Sequence, residues 1–376
     1  MAESTRLVDL VQTDIDLFLD SREHALSAIA PDLAPFIGYS RDLLRGGKRF
    51  RALFCYWGWQ AVDGRAAAFD PLGDDVDDAR SRDLESVVRA ASALELFHAA
   101  ALVHDDIMDN SDTRRGLPAA HRRFESLHDD AGWDGSPSAF GRSAALLLGD
   151  LLLSWSDELF DAGIRGLSDS DASSAARAEF NRMRTEVTAG QYLDILDERS
   201  WRSHPEDALL ARAHRVIVYK SAKYSIEAPL VIGASLAGAS PAQISTLRDF
   251  GLPLGIAYQL RDDLLGVFGD PAVTGKPSGD DLREGKRTVL IAMARAELAP
   301  GARVLLDELL GDADLTAQQV AVLQASIVGS GAVAKVERMI THNVGLAVAA
   351  LGHASISAAA RDQLELLAET VTRRSS

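Results

Sequence analysis

Cysteine is nearly missing from this chain. Among 376 residues there is one, Cys55, in the apolar setting Leu53-Phe54-Cys55-Tyr56-Trp57. One thiol excludes an internal disulfide and a cysteine-based zinc site, which leaves buried filler as its expected role. Basic residues are also scarce, 39 Lys and Arg against 55 Asp and Glu, for a formal net charge of -16. Nucleic acid is therefore not an expected partner, because its binding needs a basic footprint. An anionic ligand stays open where a metal and local Arg or Lys override the global field. No clean run of 18 apolar residues occurs; the stretch from Ala144 to Trp155 is broken by Gly149 and Asp150. Stable membrane insertion is not expected on that basis. The segment Met1 to Asp20 carries acids and lacks a continuous apolar centre, unlike a secretory signal. A cytoplasmic protein is the resulting expectation.

Strand-type alternation is nearly absent as well. Almost every apolar segment has helical period and length, so the fold class is read as all-α. Hydrophobic residues make up 47% of the chain, enough for a sizeable core. Helices are expected over Thr5–Ile29, Ile37–Leu44, Phe50–Val62, Leu84–Met108, Ser143–Ala162, Ala175–Glu198 and Glu206–Ala237, the last kinked by Pro229. Another begins at Pro241, and five more fill the remainder from Thr288 to Thr372. Residues 63–83 are acidic and poor in large apolar residues, and are expected as a mobile loop or insertion. Gly116 to Phe140, with its Gly and Pro turn signals, is expected as a connection.

The chemistry is concentrated in Leu102-Val103-His104-Asp105-Asp106-Ile107-Met108-Asp109-Asn110-Ser111-Asp112-Thr113-Arg114-Arg115-Gly116. On a helix Asp105 and Asp109 share a face, about 6 Å apart along the axis, and two like charges there repel. A hard divalent cation removes that penalty, and Mg²⁺ commonly takes one or two carboxylates plus phosphate oxygens. Arg114 and Arg115 follow at once, and guanidinium forks match phosphate oxygens. The competing reading is a helix end with a solvated acidic face.

Several other stretches bear on that choice. Gly46-Gly47 leads into Lys48 and Arg51, three apart at the start of a helix, where backbone N–H groups favour an anion. His98, Ala101, Asp105 and Asp109 form one helical stripe. Gln191 and Asp194 stand three apart in Gly190-Gln191-Tyr192-Leu193-Asp194. In Tyr219-Lys220-Ser221-Ala222-Lys223, Lys223 has an expected partner in Glu227, four residues on, which leaves Lys220 freer for a ligand. A second acidic pair, Asp262 and Asp263, ends an apolar helix, with Gln259 on the same face as Asp262. Residues 271–287 then form a glycine-rich charged segment, read as a flap that reaches over a site with Lys276 and Lys286.

The ordered set GGKRFR, FHxxxLVHDDIMDNSDTRRG, GQYLD, YKSAKYS, YQLRDDLLGVFGD and GKPSGDDLREGK resembles the trans-isoprenyl diphosphate synthases (polyprenyl synthetases) from about Leu43 to Thr288. The resemblance implies one domain over residues 1–376. Its fold would be a bundle of long antiparallel helices around a central cavity, commonly homodimeric, with three Mg²⁺ ions between two aspartate motifs. Isopentenyl diphosphate and an allylic diphosphate would be the substrates, joined head-to-tail by ionisation, condensation and elimination. By the same resemblance Asp105, Asp109 and Asp262 ligate Mg²⁺, with Asp106 and Asp263 in support alongside Gln191, Asp194 and Lys286. Arg114, Lys220, Ser221, Gln259 and Lys276 contact the allylic diphosphate. Lys48, Arg51, His98 and Arg115 hold isopentenyl diphosphate. The family often has Thr where Ser221 stands. Its second motif often reads DDxxD, where this chain has Gly266 last.

In the family, the residues four and five before the first aspartate line the tail pocket. Here they are Ala101 and Ala100, which are small. Phe97 lies about 12 Å down the axis from Asp105 and is the expected floor, favouring a C20 product over C15 or C25 and longer. Two rival readings share parts of the pattern. A class I terpene cyclase would carry an Asn/Ser/Glu metal motif in place of the second acidic pair and has no need of GGKRFR. A non-catalytic regulatory subunit tends to lose its aspartates, and both sets are present here.

Overall fold

The computed structural model describes residues 2–64, 78–114, 116–270, 278–352 and 355–372. Among them the protein is almost wholly α-helical, as the periodicity implies. Its contacts fall into two compact units, one of residues 1–178, 229–241 and 356–360, the other of residues 179–228, 242–355 and 361–376.

The first unit is organised around the longest apolar run. Helix α1 spans Ala2–Ile29, α2 Ala34–Leu44, α3 Phe50–Asp63 and α4 Asp78–Met108. Val87, Ala91, Leu94, Leu96, Phe97, Ala100 and Val103 of α4 are all buried. A helix apolar on nearly every side must be surrounded, and α4 packs against α1, α3 and α6 (Pro137–Ile164). By length and composition Asp83–Met108 could cross a membrane, but 78% of its apolar window is buried inside the protein, as in a core helix. Small residues set the spacing: Ser156 Oγ donates to the Ala93 carbonyl at 2.7 Å. Helix α3 meets α9 (Ala228–Leu236) backbone to backbone, because a Cβ on Gly233 would stand 1.8 Å from the Cys55 carbonyl oxygen. Cys55 is fully buried there, and burial pushes its thiol up to about 12.

The segment expected as a plain connection contains structure. Strands β1 (Thr113–Arg114) and β2 (Leu117–Pro118) pair antiparallel, and α5 covers Ala120–Ala131. Ala120, His121, Phe124 and His128 form its buried stripe, too short and too polar to stand out by periodicity. Residues 63–83 were expected as a mobile loop or insertion. Helix α3 runs to Asp63 and closes on a left-handed Gly64, α4 is already under way at Asp78, and residues 65–77 lie outside the described residues.

In the second unit, α7 (Ser170–Ser200, from Glu179 on) is followed by α8 (Glu206–Val216) and a π-helical stretch, Ile217–Glu227. The π-helix ends just before Pro229, where the expected kink falls. Proline has no N–H and its ring crowds the preceding turn; here the Ala228 N–H reaches back five residues to the Lys223 carbonyl. Helix α10 (Pro241–Phe268) carries Leu260, Leu264 and Val267 into a core shared with Val289, Leu290, Leu323, Ile327 and Val336. Those residues come from α12 (Val289–Glu297), α14 (Ala317–Gly329) and α15 (Ala332–Leu351). The remaining helices are α11 (Asp280–Glu284), α13 (Pro300–Leu309) and α16 (Ala358–Thr372). Helix α11 corrects the flap reading for its described part: Leu282 is fully buried, and its carbonyl accepts from the Gly311 N–H at 2.9 Å. Residues 271–277, Lys276 among them, lie outside the described residues.

Candidate functional site

The end of α4 in the first unit gathers the first acidic motif. Asn110, at φ 55°, turns the chain out of the helix, and the Ser111 N–H closes on the Asp106 carbonyl. Asp105 and Asp109 are half-buried on the outer face, one turn apart. Asp106 is 1% exposed and accepts from Arg114 Nε at 2.9 Å and from Arg114 Nη2. The same Nη2 reaches Asp105 Oδ2 at 3.4 Å. Asp106 thus supports the motif by holding Arg114, which the hairpin turns back towards α4. Arg114 also lines a small cleft with Tyr39, Leu43, Leu102 and Leu117. Arg115 lies outside the described residues.

Lower on α4, His98 is half-buried, Phe97 is 5% exposed and Ala100 fully buried, with Ala101 between the two classes. The loop before α3 places Gly46 and Gly47 at φ 70° and 85°, a region open to glycine at little cost. Lys48 is exposed, its Nζ 5.9 Å from the Phe50 ring, and Arg51 lies in the first turn of α3.

The second unit carries a second group of acids and cations. Asp194 Oδ2 accepts from Lys220 Nζ at 2.5 Å and pairs with Lys286 Nζ at 3.4 Å, while Lys286 reaches Glu198 Oε1 at 3.1 Å. Burial pushes the Glu198 carboxyl upward, against the pull of Lys286. Gly190 makes this cluster possible: a Cβ there would stand 2.4 Å from the Lys220 backbone nitrogen, so α7 and the π-helix touch at that point. Two local expectations are corrected. Lys220 was read as freer than Lys223, yet it pairs with an acid 26 residues earlier. Lys223 hydrogen-bonds Glu186 at 2.8 Å rather than Glu227, although its charge still acts on the buried Glu227 together with Arg182 and Arg248, at 3.7 and 3.8 Å. The wider turn of the π-helix moves residue i+4 out of register with residue i. Beyond Lys286, the Arg287 guanidinium stacks on Trp201 at 3.9 Å, and burial brings it down to about 10.

Asp262 is half-buried on α10, more than a turn before the helix ends, and Asp263 is 4% exposed. Gln259 was expected to act beside Asp262, but its Nε2 donates to Asp263 Oδ1 at 2.8 Å. Asp263 Oδ2 is buried without a hydrogen-bond partner. Burial raises the Asp263 carboxyl well above the usual carboxylate range, with Asp281, Asp262 and Asp194 adding to the rise. The place of the missing fifth residue is taken from elsewhere: a Cβ on Gly266 would stand 2.0 Å from Asp281 Oδ2. Asp281 belongs to α11, and sequence reading missed it because nothing in local spacing links residues 266 and 281. Gly266→Asp is therefore expected to destabilise rather than restore. Overpacking costs about 1–3 kcal/mol, so the thermal midpoint should fall by roughly 2–8 °C. An unchanged melt would show that the Asp281 carboxylate yields freely.

The donor set suits a hard cation. In the first unit Asp105 and Asp109, and in the second Asp262, each offer only oxygen, the donor type a hard cation takes. Among the described residues no three ligating side chains already enclose a metal position.

Comparison with known proteins agrees with this chemistry. A family model described as polyprenyl synthetase matches residues 37–327. A geranylgeranyl diphosphate synthase from Mycobacterium tuberculosis is 31% identical over 338 residues, 87% of this chain and 83% of that protein. The match to a short chain isoprenyl diphosphate synthase of Methanocaldococcus jannaschii, at 30% identity, covers 63% of this chain and 64% of that protein. Among solved structures, a geranylgeranyl pyrophosphate synthase from Corynebacterium glutamicum, complexed with isoprenyl diphosphate and magnesium, superposes with a TM-score of 0.89 at 38% identity. It covers 98% of this chain and 99% of its own. A polyprenyl synthase from Caulobacter crescentus, complexed with calcium and isoprenyl diphosphate, gives 0.73 at 27% identity over 100% and 98%. With its helical fold, its paired acidic motifs and a family match over most of its length, the chain belongs to the polyprenyl synthetase family of prenyltransferases.

Proposed function

We propose that this protein condenses isopentenyl diphosphate head-to-tail with an allylic diphosphate, with Mg²⁺, and that the main product is geranylgeranyl diphosphate, C20. The observation that carries the reading is the doubled acidic motif. Carboxylates stand one helical turn apart at Asp105 and Asp109, and a second acid pair at Asp262 and Asp263 lies beside the cation cluster of Lys220 and Lys286. Both compact units act in this reading as one catalytic domain, with the two motifs on one diphosphate. Two copies form the working particle, for which the exposed Leu146 and Leu147 of α6, at 50% and 56%, offer an apolar face. The site of action is the cytoplasm.

Asp105, Asp109 and Asp262 would hold Mg²⁺, whose charge would stabilise the departing diphosphate. Arg114, Lys220, Gln259 and Lys276 fix the allylic diphosphate, and Lys220 with Ser221 lies by the developing allylic cation. Lys220 reaches Asp194 before substrate binds, so a diphosphate competes with Asp194 and Lys286 is drawn into the same exchange. Lys48, Arg51, His98 and Arg115 hold isopentenyl diphosphate with its double bond towards that cation. Bond formation leaves a tertiary cation, and the released diphosphate takes the proton that restores the alkene. No nucleophilic side chain is required.

Purified protein incubated with Mg²⁺, isopentenyl diphosphate and C5, C10 or C15 allylic primers is expected to yield a linear C20 diphosphate. Cyclised hydrocarbon would point to a terpene cyclase. Product formed only with an added partner would point to a regulatory subunit.

A further inference from the structure

Arg49 stands between Lys48 and Arg51, and the preceding reading gives it no role. Its backbone is left-handed, φ 49° and ψ 40°, a conformation that costs a non-glycine residue roughly 1–2 kcal/mol. Its side chain turns away from the loop surface and is 3% exposed. Nη1 donates to Glu95 Oε2 at 3.2 Å, and Nη2 donates to Gln12 Oε1 at 2.6 Å and to the Leu44 carbonyl. Glu95, on α4, is itself 5% exposed, and its other oxygen accepts the Ala52 N–H at 3.3 Å. That N–H belongs to the first turn of α3, where backbone donors have no partner inside the helix.

One guanidinium therefore ties together the end of α2, the start of α3, α1 and α4. The point of attachment on α4 is informative. Glu95 and His98 are three residues apart, so they lie on one side of the helix, less than a turn from each other. We propose that Arg49 is a positioning residue: through Glu95 it fixes where Lys48 and Arg51 stand relative to His98, so that all three meet one diphosphate. The proposal rests on the assignment of those three residues to isopentenyl diphosphate. Lysine cannot replace the arginine here, because a point charge on a flexible stem cannot meet three acceptors in a fixed plane.

The test is steady-state kinetics on the full-length protein with each substrate varied in turn, using R49K, E95Q and, as the benchmark, K48A. R49K and E95Q are expected to raise KM for isopentenyl diphosphate about tenfold, with kcat and KM for the allylic primer within about twofold. Should K48A leave KM for isopentenyl diphosphate unchanged, the assignment of the loop fails. Should K48A raise it while neither R49K nor E95Q does, the positioning role fails alone. Equal rises in both KM values, a fall in kcat alone, or loss of the fold in both variants would make Arg49 a purely structural residue and overturn the proposal.

Discussion

Asp262→Ala is expected to lower kcat by about a hundred- to a thousandfold, the scale seen when one group that stabilises transition-state charge is removed. Its neighbour explains why the fold should survive. Asp263 is buried, and Asp262 is one of the charges that push its carboxyl upward. Deleting Asp262 removes repulsion from that group and leaves stability equal or higher. The same logic separates the two acids of the pair. Asp262 is half-buried, whereas Asp263 is buried and accepts from Gln259 at 2.8 Å. The check is turnover beside a thermal melt. Retention of most of the turnover by Asp262→Ala would remove the second motif from the mechanism.

Phe97→Ala is expected to lengthen the product beyond C20. Phe97 is 5% exposed on α4, below the fully buried Ala100, and the partly buried Ala101 continues the same small-residue run towards Asp105. In the proposed function the two alanines leave room for a growing tail, and the first bulky side chain below them closes it. Truncating a buried phenylalanine costs about 3–5 kcal/mol, so a lower melting temperature will accompany the change. Reversed-phase chromatography of the dephosphorylated products separates the two effects. A longer product from a less stable protein supports Phe97 as the floor, and an unchanged chain length from active variant rejects it.

How much of this was legible in the sequence depended on range. The long helices, the first acidic motif and the buried Cys55 follow from periodicity and composition, which act over a few residues. Helix α5 did not show itself, because its buried stripe includes His121 and His128 and reads as polar. Most failures at the site involve partners distant in the chain, Gln259 with Asp263 being a local one. Lys220 looked unpaired because its acid, Asp194, lies on another helix, brought within 2.5 Å where Gly190 lets the backbones touch. Gly266 looked like a lost ligand until Asp281 proved to fill the space of its absent side chain. Arg49 carried no signal that spacing could use, because its partner Glu95 lies 46 residues on. Glu198 was the one partner within reach of spacing rules, four residues after Asp194 on α7, and it joins the same cation cluster.

The central claim is that the acids at 105–109 and the acid at 262 act on one diphosphate. Titration calorimetry with a non-hydrolysable allylic diphosphate analogue, with and without Mg²⁺, tests it on the parent protein, Asp105→Ala, Asp262→Ala and the double variant. Residues that act as a unit give non-additive losses. The account predicts Mg²⁺-dependent binding in the parent, a large loss in each single variant and no further loss in the double variant. Parental affinity in either single variant, or losses that simply add, would contradict it.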